Sequence, residues 1–211
     1  MKVINPSVEI LSDVDGQQIL KHLEKCGRIC YKSEDKITDD SCDKFLKGII
    51  KRGHEAVIEH YSITLKFVCD RGVTHEIVRH RLASYCQEST RYCNYTNDKF
   101  GNEITVIKPC FFDEESREYF IWKRSMESTE KAYFDLLDCG ATPQQARDVL
   151  PNSLKTEIVM TANIRELRHF LKMRCDKAAH PQMIEVACMA LNELHDKVPI
   201  LFDDIYEVIY G

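Results

Sequence analysis

A chain of 211 residues, 44% apolar and 30% charged, is long enough for one domain with a sizeable core and has the make-up of an ordinary water-facing protein. No apolar run approaches the roughly 20 residues of a membrane-spanning helix, Pro6 interrupts the stretch where a secretory leader would begin, and a net charge of −5 argues against a surface built for nucleic acid. Ten cysteines without a Cys-x-x-Cys pair read as reduced thiols of a cytoplasmic protein, mostly buried as small hydrophobes.

Along the chain, Ile19, Leu20, Leu23 and Cys26 recur at helical spacing, which predicts a helix over 16–30. A second helix is expected from about Asp40 to Arg52, with Phe45, Leu46, Ile49 and Ile50 on one face and Gly53 as its stop. From Ser62 to Phe67 polar and apolar residues alternate, the pattern of a half-buried strand. Arg71-Gly72 reads as a turn, and Val73, Ile77, Val78 and Leu82 predict a helix reaching about Ala83. Another strand is expected over 103–108 and a long helix over 114–137, ending near Gly140. Thr142-Pro143 with Gln145 opens a short helix that Pro151 closes. The β-branched run 155–162 suggests a strand. Asn163 with Glu166 caps a helix carrying Ile164, Leu167, Phe170 and Leu171, and Pro181 starts another. No repeat, linker or regular strand–helix alternation divides the chain. One α+β domain over 1–211 is the expectation.

Two basic clusters carry the chemistry. The first is Arg79-His80-Arg81, expected to end a helix, followed through Ser84, Gln87, Glu88, Ser89, Thr90 and Arg91 by a stretch without aliphatic residues as far as Asn97. Forked guanidinium donors beside hydroxyls suit a phosphate, although a bare Arg-x-Arg is more often a solvated helix end. The second comprises Arg165, Arg168, His169, Lys172, Arg174 and Lys177. Arg165 and His169 share a helix face, whereas Arg174, about two and a half turns on, points elsewhere. A solvated face opposite Leu167 and Leu171 explains this set equally well. Pairs such as His54/His60 and His75/His80 are six and five apart, not the four that a helical zinc-protease motif needs, and no metal site is assigned. Glycine-rich nucleotide fingerprints and Gly-x-Ser-x-Gly elbows are lacking.

The segment Arg79 to Arg91 resembles the signature of flavin-dependent thymidylate synthases, Arg-His-Arg-x-x-Ser-x-Asn-x-x-Ser-x-Arg. It meets six of the seven fixed positions, with Cys86 standing where the pattern has Asn. Gly53-His54-Glu55 with Glu59-His60, the run Ala146 to Pro151, and Thr161 to Arg174 are similar to further segments of that family. The resemblance thus runs from about Gly53 to Glu185. It implies an α+β fold, the thymidylate synthase-complementing-protein fold, with a small antiparallel sheet flanked by helices. It also implies reductive methylation of dUMP to dTMP, with FAD as cofactor, NADPH as reductant and 5,10-methylenetetrahydrofolate as one-carbon donor.

By the same resemblance FAD meets Ala56, Glu59, Arg79, His80, Arg81, Gln87, Asn163, Arg165 and His169. The substrate meets Glu76, Arg79, Gln87, Glu88, Ser89, Thr90, Arg91, Arg147 and Arg174, with Arg174 catalytic. Glu76 and His169 stand where the family commonly carries Gln and Asn. A cytoplasmic homotetramer with sites shared between subunits is implied, with neither nucleic acid nor membrane as partner. Two other readings use the same clusters. A nucleotide sensor or RNA-binding module would bind without consuming NADPH, and a simple flavin oxidoreductase would oxidise NADPH regardless of dUMP.

Overall fold

The computed structural model describes residues 1–92, 95 and 101–211. Cys93 and most of the polar run beyond Tyr92 lie outside the described residues. The elements in chain order are β1 (Lys2–Ile4), β2 (Ser7–Ile10), α1 (Gly16–Tyr31), α2 (Ser41–Lys51), β3 (Ser62–Asp70), α3 (Arg71–Ile77), β4 (Ala83–Gln87) and β5 (Thr105–Ile107). They continue with α4 (Arg117–Asp138), α5 (Pro143–Ala146), β6 (Lys155–Asn163), α6 (Ile164–Arg174), α7 (Pro181–Lys197) and α8 (Pro199–Tyr210). Short 3-10 segments occupy Glu34–Lys36, Glu55–His60 and Arg147–Val149. This is the α+β class expected, with a small antiparallel sheet in strand order β2-β3-β6-β4. Separately, β1 pairs in parallel with β5, Val3 opposite Val106.

The long strands form for the reason their pattern suggests. In β3, Ile63, Leu65, Phe67 and Cys69 are buried, and in β6, Thr156, Ile158, Met160 and Ala162, with half-exposed residues between them. Helix starts are capped by short polar side chains. Asp15 accepts from Gln18 N at 3.1 Å, Asp70 from Val73 N at 2.8 Å and Asn163 from Glu166 N at 2.9 Å. Gly53 and Gly140 adopt φ of +67° and +89° just past α2 and α4, as helix-ending glycines do.

Several expectations require correction. Arg71-Gly72 is the first turn of α3, because Asp70 caps the helix there. That helix stops at Ile77 and does not reach Ala83; Leu82, counted towards its apolar face, is 76% exposed. The segment from Arg79 is accordingly not helical, and Ala83–Gln87 forms β4 at the edge of the sheet. An edge strand is held by backbone pairing on one side and needs no apolar alternation to form. The cysteines are not mostly buried: of the nine described, Cys30, Cys86, Cys110 and Cys139 are exposed, and only Cys42, Cys69 and Cys175 are buried. All nine are free thiols. Arg168, read as part of a solvated face, is 1% exposed.

The chain divides into two compact units. One comprises Met1–Ser7, Phe67–Arg79 and Cys86–Ile158, and the other Val8–Lys66, His80–Tyr85 and Val159–Gly211. The first has a core of Tyr95, Ile104, Val106, Met126, Tyr133, Ala146 and Leu154, with Trp122 packed against it and donating to Ser153 Oγ at 3.1 Å. In the second, α1 packs on α2, α6 on α7 and α8, and α7 on α8. Here Arg168 of α6 makes bidentate hydrogen bonds to Asp204 of α8, both at 2.7 Å, and donates to the Leu201 carbonyl. A planar fork matched to a carboxylate satisfies a charge that burial would otherwise penalise.

Burial pushes the Asp204 carboxyl up, but the bonds from Arg168 outweigh it and hold the carboxyl below the usual carboxylate range. Its stabilising contribution is therefore present at neutral pH and is lost as pH falls below about 4. Asp204→Ala is expected to cost about 2–3 kcal/mol at pH 7, less than the roughly 3–5 kcal/mol of a fully enclosed pair because water reaches Asp204. Urea unfolding at pH 7 and at pH 3 checks this: the gap between wild type and variant should narrow in acid.

Candidate functional site

The β6–α6 junction places most of the second unit's candidates. Strand β6 ends on Asn163, whose side chain closes the first turn of α6 and directs Glu166 inward. His80, just past α3, lies against this helix and is 5% exposed. Its Nε2 accepts from Arg174 Nε at 3.0 Å, and its Nδ1 stands 3.2 Å from Glu166 Oε1. A neutral imidazole has one donor and one acceptor. Since Nε2 accepts, Nδ1 carries the proton and donates to Glu166. Carboxylate, imidazole and guanidinium thus form a buried chain that fixes the Arg174 side chain, itself 8% exposed.

Burial, and after it the Arg174 guanidinium, push the His80 imidazole below its ordinary range; Glu166 pulls the other way without prevailing. His80 is therefore neutral at pH 7. The rings of His169 and Phe170 meet His80 edge-on, with centroids at 5.6 and 5.0 Å. Tyr85 Oη donates to the His80 carbonyl at 2.6 Å, and burial pushes its phenol up to about 12.

A cavity of about 820 Å³ opens beside this chain, lined by Glu55, Glu59, Leu82, Asn163, Arg165, Glu166, Arg168, His169 and Lys172. Its cations are matched by acids. Arg165 donates to Glu59 at 2.5 Å and lies 3.7 Å from Glu55, while Lys172 stands 3.7 Å from Asp204 and 3.9 Å from Glu55. Of the residues expected at a flavin, Glu59, Asn163, Arg165 and His169 line this cavity, and His80 stands against Glu166 and His169 of its wall. Ala56 and Arg81 are exposed and are not among its lining residues.

The first unit holds the other candidates. Gln87 Nε2 donates to Thr74 Oγ1 at 3.0 Å and approaches Thr156 Oγ1 at 3.5 Å, tying the end of β4 to α3 and β6. Glu88 pairs with Lys155 at 3.0 Å, and its backbone N–H donates to the Glu157 carbonyl at 2.9 Å. Ser89 Oγ accepts from Arg91 N at 3.3 Å, Thr90 is buried, and the Arg91 guanidinium lies 5.2 Å from the Tyr92 ring centre. Arg79 is exposed and Glu76 half-buried, at the end of α3, and Arg147 is half-buried on a 3-10 turn.

Sequence reasoning missed Glu55, Lys155, Glu166 as a partner of His80, and Lys172 as a cavity residue. Beyond its place in the first turn after Asn163, Glu166 is three residues from His169 on one helix face, a visible signal that both side chains project the same way.

Residues 14–200 match the family model described as thymidylate synthase complementing protein. The relatives named flavin-dependent thymidylate synthase include one from Pyrococcus furiosus, 35% identical over 184 residues, covering 87% of this chain and 72% of the relative. Another, from Geobacter sulfurreducens, is 33% identical over 184 residues, 84% of this chain and 78% of its own. The chain belongs to the flavin-dependent thymidylate synthase family. A relative from Corynebacterium glutamicum, 32% identical, extends the match to 93% of this chain and 83% of that protein. The fold is also that of the UMP/dUMP methylase PolB from Streptomyces cacaoi, solved with 5-Br dUMP, at a TM-score of 0.77 and 22% identity over 99% of this chain and 97% of that one. In this family member, the segment quoted as its signature forms the turn after α3, the edge strand β4 and the loop beyond it.

The direction of the His80 proton is open to a direct check. Glu166→Leu removes the carboxylate that accepts from Nδ1. Nitrogen NMR of the imidazole is expected to show an Nδ1–H ring in the wild type and a mixture of tautomers in the variant. An unchanged tautomer would remove the ordering role given to Glu166. In acid, His80 protonates less readily than in the unfolded chain, so this residue subtracts stability as pH falls below about 6.5.

Proposed function

We propose that this chain, residues 1–211, is a single catalytic domain that methylates dUMP to dTMP. 5,10-methylenetetrahydrofolate supplies the carbon, and NADPH supplies the reducing equivalents through FAD. The observation that carries this reading is the buried Glu166–His80–Arg174 chain, in a member of a family whose relatives bear the synthase name.

The residues present suit a flavin dinucleotide. A cavity of about 820 Å³ lies within the roughly 300–1,000 Å³ of small-molecule sites. The cations Arg165 and Lys172 suit a diphosphate, whose oxygens would take over the ion pairs now made with Glu59 and Glu55. Asn163, Arg165 and His169 would hold the cofactor there, with His80 behind them; Ala56, Glu59, Arg79, Arg81 and Gln87 complete the set that the family resemblance supplies. When bound, FAD supplies hydride transfer that no side chain of the protein can perform.

The protein's own part is orientation and charge. C5 of uracil is a weak nucleophile until electron density is drawn towards it. An arginine held against the pyrimidine favours the ring's anionic form through charge-assisted hydrogen bonds, and Arg174 is assigned this role. The Arg174 Nε–H is engaged by His80, which sets the orientation of the guanidinium plane. His80, neutral and accepting, keeps Arg174 fixed without adding a second charge.

Arg91, with Ser89 and Thr90, is assigned to the phosphate, and Arg79 and Arg147 supply further charge. Glu76, Gln87 and Glu88 help place the nucleoside, turning binding into proximity. Lys155 holds Glu88 in place. The same reading includes a cytoplasmic homotetramer with sites shared between subunits, and neither nucleic acid nor membrane as partner.

Two measurements test the reading. The desalted protein supplied with FAD is expected to keep a flavin absorption spectrum that shifts on adding dUMP; failure to take up FAD would point to the nucleotide-sensor reading. Arg174→Ala is expected to retain FAD and lower dTMP formation by about 10³-fold, in the range of losses seen when one charge-stabilising donor is removed. Near-normal turnover would remove Arg174 from the chemistry.

A further inference from the structure

The buried chain that orders Arg174 contains two potential metal ligands, His80 and Glu166, and His169 beside it supplies a third. One donor atom from each of His80, Glu166 and His169 lies within 4.8 Å of the other two. Two of the three come from one helix face, as Glu166-x-x-His169. That Glu-x-x-His spacing projects both side chains to the same side and is used by helical metal sites for this reason. The third, His80, reaches the set from outside α6, so the donors come from two separate parts of the chain.

We propose that His80, Glu166 and His169 form a binding site for a zinc-class divalent transition ion, and that its occupation is inhibitory. The donor set is two imidazoles and one carboxylate, which suits zinc and its neighbours better than magnesium or calcium. Spacing agrees. His80 Nδ1 and Glu166 Oε1 are 3.2 Å apart, against about 3.4 Å for one edge of a tetrahedron with metal–ligand bonds near 2.1 Å. His80 and Glu166 are buried, while His169 is exposed beside the 820 Å³ cavity. An ion can enter past His169, and water from the cavity can complete its coordination.

The charge around the site does not bar a cation. Arg165, Arg168 and Lys172 are each held against Glu55, Glu59 or Asp204. Arg174 meets His80 at Nε2, on the far side of the ring from Glu166.

The inhibitory effect follows from valence. His80 Nδ1 now carries a proton and donates it to Glu166. To ligate through Nδ1 the ring must move that proton to Nε2, with no net gain or loss. Bonds form from the metal to His80, Glu166 and His169, and the hydrogen bonds Nδ1–H···Glu166 and Arg174 Nε–H···Nε2 break. Arg174 then faces an N–H in place of a lone pair and loses its hydrogen bond to His80. Metal binding and the Arg174–His80 hydrogen bond are alternative states of one buried chain. The cavity is also where the flavin reading places FAD, so zinc and FAD should compete, a consequence resting on that reading; binding to flavin-free protein tests the metal site alone.

The test uses flavin-free protein under reducing conditions. Co²⁺, as an optical probe, is expected to give visible d–d absorption without a thiolate charge-transfer band, and Zn²⁺ is expected to displace it. Because His169 is exposed, His169→Ala should keep the wild-type circular dichroism spectrum and weaken Zn²⁺ binding in calorimetry at least about 10-fold, the lower range for disturbing a metal's surroundings. In the zinc-loaded wild type, NMR should show the His80 proton transferred from Nδ1 to Nε2. Equal zinc affinity in His169→Ala, a thiolate charge-transfer band that places the ion on cysteines, or failure to bind Zn²⁺ would each overturn the site. Displacement of FAD by Zn²⁺ is measured separately on flavin-loaded protein and bears only on the competition.

Discussion

His80 can accept a hydrogen bond at one nitrogen only, and Arg174 uses it. This limit organises the second unit's site. The remaining ring nitrogen must donate, so an acceptor has to be buried beside it, and Glu166 fills that place at the first turn of α6. Glu166 reaches it because Asn163 caps the helix and ends β6 at the right residue. Strand length, cap, carboxylate, imidazole and guanidinium form one sequence of dependencies. A shift of one residue at the β6–α6 junction would turn Glu166 through about 100°, one residue's rotation in a helix of 3.6 residues per turn.

The same helix illustrates how a strongly basic segment can be half interior. Arg165, Arg168, Lys172 and Arg174 differ in exposure because their partners differ. Arg168 is enclosed with a bidentate carboxylate, Arg174 with an imidazole, and Arg165 stays at the cavity with carboxylates that a ligand can replace. Burial of charge here tracks the geometry of the available acceptors, as expected where an unpaired ion costs several kcal/mol. The two enclosed arginines are therefore rigid. Arg165, at the cavity, keeps the latitude to change partner.

The sequence made much of this legible, and the remainder fails for identifiable reasons. β3 could be read from the alternation of polar and apolar residues over 62–67, and β6 from its β-branched run, and in both strands every second side chain is buried. The start of α6 could be read from Asn163 and Glu166 together. β1 and β2 have three and four residues, too few to display a period. α8 has a legible signal of its own, Pro199 followed by Leu201, Phe202 and Ile205. β4 was hidden because an edge strand makes no demand on side-chain polarity. Within the site, Arg174 and His80 were marked by resemblance, but their bond joins residues 94 apart in sequence, and the His80–Glu166 contact joins residues 86 apart. No local pattern encodes such pairings. Arg168 resembled a solvated residue because its partner Asp204 lies 36 residues away on a helix that had not been anticipated.

The edge strand has a consequence for how this segment can vary. Along β4 alternate residues face opposite sides, so the stretch from His80 to Arg91 acts as a ruler. Replacing a side chain, as with Cys86, changes one exposed contact. Inserting or deleting a single residue between Ala83 and Gln87 would invert the later side chains of the strand and carry Gln87 away from Thr74. Change in this stretch should therefore be tolerated as substitution at constant length. What the segment has to keep is a distance.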